Sequence, residues 1–155
     1  MAIQFLDQRL SMHNNGFGGE EPLSDLPLLI GDIGLQVVGA IPLNTSDVRV
    51  LLTGTAGIAF SGPPPEEGPT VVSLSVERGG DGTAGTGVTI WNQQFEIEQP
   101  GVLFPISVSA ADFPPALDVL AGEIRYVLFI ATDGFIDLIL SGPAAFNGVA
   151  VAGTT

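Results

Sequence analysis

The residues of this 155-residue chain that could do chemistry are few, and their spacing argues against most of it. Glu96 and Glu98 alternate with Phe95 and Ile97, which puts both carboxylates on the outer face of one strand. Glycoside hydrolysis needs two carboxylates facing each other across a cleft, an arrangement these two do not define. His13 is the single histidine, so neither a histidine-bearing triad in a core nor a multi-histidine metal site can be assembled. Gly80, Gly82 and Gly85 satisfy G-x-G-x-x-G after a strand. The β-branched "TGVTIW" that follows offers no helix N-terminus for a pyrophosphate, so a hairpin loop is expected. The pairs Glu20-Glu21 and Glu66-Glu67 lack EF-hand spacing and read as solvated loop charge. Trp91 and Tyr126 read as core or interface aromatics, and Asn44-Thr45-Ser46 is a formal glycosylation sequon. No catalytic residue, cofactor or metal site is expected, and the chain is read as not an enzyme.

Composition narrows the partners. Seventeen acidic residues oppose four arginines with no lysine, and the resulting charge of -13 repels nucleic-acid phosphates and anionic lipid. Neither nucleic acid nor a membrane surface is an expected partner. A hydrophobic content of 45% and a mean hydropathy of +0.44 are ample for a packed core, while the absence of cysteine leaves stability to packing and association. No 18-residue apolar run occurs, and the N-terminus lacks the basic and apolar regions of a secretory signal, so none is expected.

The elements that must position any site are strands. In "DVRVLLTGTAGIAF" Val48, Val50, Leu52, Gly54, Ala56, Ile58 and Phe60 share one face, and Asp47, Arg49, Thr53 and Thr55 the other. "SGPPPEEGP" interrupts the ladder as a loop. "TVVSLSVER" alternates Val72, Leu74 and Val76 with Ser73, Ser75 and Glu77. In "VTIWNQQFEIE" the inward phase shifts between Ile90 and Phe95, which predicts a bulge or tight turn near Trp91 to Gln94. "VLFPISVSA", "EIRYVLFIA", "IDLILS" and "NGVAVAG" read as further strands, and "LQVVGAIPL" at residues 35 to 43 as one more. Only "SAADFPPALDVLAG" offers a helical turn, kept short by Pro114 and Pro115. Short strands between Gly and Pro turns, without crossover helices, predict an all-β antiparallel jelly-roll sandwich and exclude a parallel α/β enzyme.

The opening segment reads differently. Ile3, Phe5, Leu6 and Leu10 precede a run of Asn14, Asn15, Gly16, Gly18 and Gly19, which suggests an assembly arm on a flexible tether. Residues 1–25 are therefore read as an N-terminal arm or connector, and 26–155 as the β domain. Such an arm gains too little from apolar burial alone to offset its ordering, so it needs a sheet edge to pair with, in a neighbouring subunit or in its own domain. Docking into a neighbour is the leading expectation. Leu51, Val71, Val127 and Phe129 fall on outward strand positions and are expected to form an oligomer interface.

The succession of "VRVLLTGTAGIAF", "PTVVSLSVERGG", "FPISVSAADFPP", "GEIRYVLFIA" and "SGPAAFNGVAV" resembles the β domains of spore-surface proteins of Firmicutes, found in exosporium and endospore appendages. Those domains are similar to the complement-type, tumour-necrosis-factor-like jelly roll, and the likeness covers about residues 47 to 153. It implies homotrimers, higher polymers and a structural role on the spore surface or outside the cell, without a signal peptide. The collagen-like Gly-X-Y tract of many such proteins is absent, which favours a shorter, packed assembly. The function expected is a self-assembling subunit of a fibre or layer. The competing readings are a carbohydrate- or receptor-binding jelly roll, such as a phage fibre tip, and a small hydrolase.

Overall fold

Val48, Val50, Leu52, Ala56 and Ile58 point from one long strand into the core and are at most 2% exposed, as their two-residue period requires. Around that strand a computed structural model describes residues 3–62, 69–97, 104–133 and 138–153. The strands are β1 (Gln4–Asn14), β2 (Glu21–Pro22), β3 (Leu28–Gln36), β4 (Val48–Phe60), β5 (Thr70–Arg78), β6 (Val88–Ile97), β7 (Phe104–Asp112), β8 (Glu123–Thr132) and β9 (Leu138–Ala152). A 3-10 turn (Val38–Ala40) follows β3, and a five-residue helix, α1 (Ala116–Leu120), precedes β8.

Two sheets result. Sheet A has the order β1-β9-β4-β7, with β2 beside β9, and sheet B the order β3-β8-β5-β6, all antiparallel. Apart from β2 the pairs are nested in the chain: β5 with β6 innermost, then β4 with β7, β3 with β8, and β1 with β9 outermost. That nesting is a jelly roll, a long antiparallel hairpin wound into two facing sheets. Leu35, Leu74, Leu128, Tyr126 and Phe146 fill the space between them.

The strand parities read from the sequence hold for β4, β5, β7 and β8, where Ile106, Val108, Ile124, Leu128 and Ile130 are buried with the residues named above. Val102 and Ile136 lie outside the described residues. Two boundaries differ. The strand placed at residues 35 to 43 runs instead from Leu28 to Gln36, and Val38–Ala40 turns. The two final strands are one, because β9 continues past an irregularity opposite Ala56–Ile58. Gly57 makes that continuity possible: a Cβ there would sit 2.1 Å from the Gly142 carbonyl oxygen. The bulge in the β5–β6 ladder falls opposite Val76–Glu77, between Thr89 and Trp91, slightly ahead of its expected place.

The N-terminal segment takes the second of the two courses open to it. Residues 4–14 are an edge strand of the chain's own sheet A, paired with β9 from Gln4↔Ala152 to Asn14↔Ala144, and not a segment set apart from the β domain. Two physical facts explain this. The ladder with β9 supplies the backbone pairing that apolar burial alone lacks, and it does so within one chain. The inward side chains also fit: Asp7 Oδ2 accepts the Gln36 N–H at 2.9 Å and Ser11 Oγ accepts the Asp32 N–H at 3.2 Å. Those amides belong to β3, which among the described residues has no strand partner on that side, so β1 caps an otherwise open edge.

This cap is pH-sensitive. Partial burial pushes the Asp7 carboxyl up, but the Gln36 N–H, Arg9 and the Gln8 N–H together hold it below the ordinary carboxylate range. A folded value below the unfolded one gives stabilisation that is present above the unfolded value near 4 and disappears as the pH falls through the folded one. Amide exchange at Gln36 should therefore lose protection below about pH 4. Asp7→Ala should lower that protection at least tenfold at neutral pH, and unchanged protection would show that Asp7 does not hold β1 to β3.

Candidate assembly face and the polar network behind it

The outer face of sheet A is built by the odd positions of β4 and their partners. Its rows run Phe5–Val151–Arg49, Gln8–Val149–Leu51–Ala111, Leu10–Asn147–Thr53–Ser109 and Met12–Ala145–Thr55–Ser107. None of these residues is acidic. Arg49 is the one charge among them, and its Nη2 donates to the Gly153 carbonyl at 2.7 Å. Phe5, Leu10, Met12 and Leu51 are 52–72% exposed on this face. Three of the four residues assigned to an arm keep exposed side chains in the edge strand or just ahead of it, Ile3, Phe5 and Leu10. Leu6, at the bulge between Phe5 and Asp7, packs against the core instead.

The other proposed interface residues separate. Leu51 lies in the middle of sheet A's outer face, whereas Val71, Val127 and Phe129 belong to sheet B. Val127 and Phe129 are 1% and 2% exposed and so do not form a surface patch of the subunit. They lie on β8, an inner strand of the sheet: Val127 sits between Asp32 and Glu77, and Phe129 between Leu29 and Ser75. Beside Val127, Arg125 forks onto Asp32 (Nε–Oδ1 2.9 Å, Nη2–Oδ2 2.6 Å), and its hydrogen bond and charge hold the Asp32 carboxyl below its usual range. Val71 is half-buried at the start of β5.

The glycine loop of the β5–β6 hairpin has its amides occupied from within. Glu77, 4% exposed, accepts the Gly85 N–H at 2.7 Å and the Gly87 N–H at 3.0 Å, so the groups that would cradle a phosphate hold the chain's own carboxylate. His13 pairs with Glu21 at 2.5 Å, linking β1 to β2. Glu96 is exposed on β6, and Glu66, Glu67 and Glu98 lie outside the described residues. Trp91 is half-buried against the core, and Asn44 is half-buried in the turn before β4. Among the described residues no three His, Asp or Glu side chains converge as metal ligands.

A constellation that residue-by-residue reading missed ties the two sheets together. Arg78 Nη1 donates to both carboxylate oxygens of Asp112 at 2.8 Å, and the Tyr126 hydroxyl donates to Asp112 Oδ2 at 2.7 Å. Arg78 Nε also lies 2.8 Å from Asp118 Oδ2, an ion pair without hydrogen-bond alignment. Burial pulls the guanidinium pKa down, but the Asp112 bond and the charges of Asp112 and Asp118 outweigh it and keep Arg78 charged. Strand parity carried the signal: Arg78 continues the inward series Val72, Leu74, Val76, and Asp112 continues Ile106, Val108, Ala110. The Asp112 carboxylate joins the Arg78 guanidinium of sheet B to its own strand in sheet A, so the network braces the two sheets.

Neither a protein family nor a curated protein matches the chain. Among solved structures, 94% of it aligns with 32% of a chain of the infectious bursal disease virus subviral particle, at 8% identity and a TM-score of 0.49. The Tobacco streak virus coat protein aligns over 96% of this chain and 86% of its own, at 9% identity and a TM-score of 0.33. A ruminal endo-beta-1,4-mannanase aligns over 92% of this chain and 21% of its own, at 13% identity and a TM-score of 0.37. The chain thus spans about a third of the length of the infectious bursal disease virus proteins it resembles.

Proposed function

We propose that this protein is a self-assembling structural subunit whose copies meet through the outer face of sheet A. The observation that carries this reading is the absence of acid from the four rows of that face in a chain of net charge -13, with Asp47 in the bend just ahead of β4. Two copies repel wherever acidic surfaces meet, and an acid-free face is where they touch at least electrostatic cost. The exposed Phe5, Leu10, Met12 and Leu51 supply the apolar contact. Strands about 4.8 Å apart and rows about 6.8 Å apart make the face about 19 by 27 Å. Two such faces bury on the order of 1,000 Å², the lower bound for a specific interface. The resemblance to spore-surface proteins adds the expected stoichiometry, a homotrimer that polymerises further, and the expected place, the spore surface, which antibody labelling of intact spores would test.

Sedimentation velocity tests the face. The native chain should sediment above its subunit mass of 15.9 kDa, and more so as added salt screens the acidic repulsion. Leu51→Asp places an unpaired charge at the centre of the contact and should weaken association at least a hundredfold with an unchanged circular dichroism spectrum. A native monomer at high micromolar concentration, or a Leu51→Asp protein that assembles normally, would refute the proposal.

A further inference from the structure

Sheet B carries a second, chemically different surface. A groove of about 660 Å³ lies on its outer face, within the usual size range of small-ligand sites. Phe129 lies in its floor and Pro27 at its margin, and β5 and β6 line it with Ser73, Ser75, Asn92 and Gln94. Register sets these four as a rectangle, Ser75 opposite Asn92 and Ser73 opposite Gln94. Their spacing is about 4.8 Å across the strands and about 7 Å along them, the scale of a sugar ring and its hydroxyls.

Two features select the ligand. No charged residue among the described residues lines the groove, although the chain bears 17 acids, so the site has no opposite charge to offer a phosphate, sulfate or ammonium group. Its polar groups are also largely unspent. Ser75, Asn92 and Gln94 make no side-chain hydrogen bond among the described residues, and Ser73 makes one long bond of 3.4 Å to the Ala131 carbonyl. Side-chain amides donate and accept at once, and hydroxyls do the same, which matches a ligand whose groups also do both. We propose that this groove binds a neutral oligosaccharide. The site faces away from sheet A's outer face, so ligand binding and assembly use opposite sides of the sandwich.

Calorimetry on the full chain with mannotriose, cellotriose and chitotriose, and with a sulfated heparin trisaccharide as the charged comparison, tests this. At least one neutral trisaccharide should bind with a Kd of about 1 mM or tighter, and the sulfated one more weakly. Asn92→Ala/Gln94→Ala, two exposed positions on an edge strand, should weaken that binding at least tenfold without changing the circular dichroism spectrum. Leu51→Asp should leave it intact, which separates this site from the assembly face. Failure of all three neutral sugars, equal binding by the double variant, preference for the sulfated sugar, or loss of binding in Leu51→Asp would each overturn the proposal.

Discussion

Replacing Asp112 with alanine is expected to lower the unfolding free energy by about 3–5 kcal/mol, the cost of breaking a buried ion pair by removing one partner. Both side chains of the pair are nearly enclosed, Arg78 at 12% and Asp112 at 10% exposure, so water cannot replace what is lost. The substitution strands the Tyr126 hydroxyl in a fully buried site and leaves Arg78 with Asp118 alone. For a chain of this length the loss corresponds to roughly 6–20 °C in Tm. Tyr126→Phe removes one hydrogen bond and should cost only about 0.5–1.5 kcal/mol. The pair is also read through pH. Burial, followed by the bond to Asp112, pushes the Tyr126 phenol well above its ordinary value. A folded value above the unfolded one means stability that is complete below about pH 10 and declines as the pH rises beyond it. Tyr126→Phe should flatten that alkaline decline. An Asp112→Ala protein within about 1 kcal/mol of the native chain would show that the brace between the sheets contributes little.

Phe146→Ala should be about as damaging, at roughly 3–5 kcal/mol. Phe146 is fully buried and projects from β9 between the sheets, and glycines on both sides make room for its ring. A Cβ at Gly31 would stand 2.4 Å from the Phe146 Cβ, and one at Gly54 would stand 3.4 Å from its ring. Because glycines cannot fill space, truncating the ring leaves a cavity that neighbouring side chains on those strands cannot close. The same geometry gives the converse result: Gly31→Ala should itself destabilise by about 1–3 kcal/mol through overpacking. Chemical denaturation of both variants provides the check. A Phe146→Ala loss below about 1.5 kcal/mol would mean that the core relaxes around the missing ring.

Strand parity was legible in the sequence because a half-buried strand repeats every two residues whatever its neighbours are. It placed Val48 to Ile58, Val72 to Val76 and Ile124 to Ile130 inside, and by extension it put Arg78 and Asp112 on the core side. What parity does not carry is the identity of the strand opposite. Gln4–Asn14 reads as an arm because its periodicity breaks at the Leu6 bulge and because its apolar side chains Phe5, Leu10 and Met12 face outward while Asp7 and Ser11 face in. That inversion makes sense only beside β9 and over the open edge of β3, partners more than a hundred and about twenty residues away in the chain. For the same reason Val127 and Phe129 sit on outward parity and are nonetheless buried, Val127 between Asp32 and Glu77 and Phe129 between Leu29 and Ser75 of the strands on either side.

Composition and periodicity alone determined the class of this protein, an acidic all-β chain, because charge balance and two-residue alternation are local properties. Tertiary structure decided which surfaces exist. The acid-free face of sheet A collects residues from β1, β4, β7 and β9, and the amide-lined groove of sheet B depends on the register of β5 against β6 and β8. Both are sums over strands brought together by long-range pairing, and the free energy of that pairing is a property of the whole jelly roll rather than of any one segment.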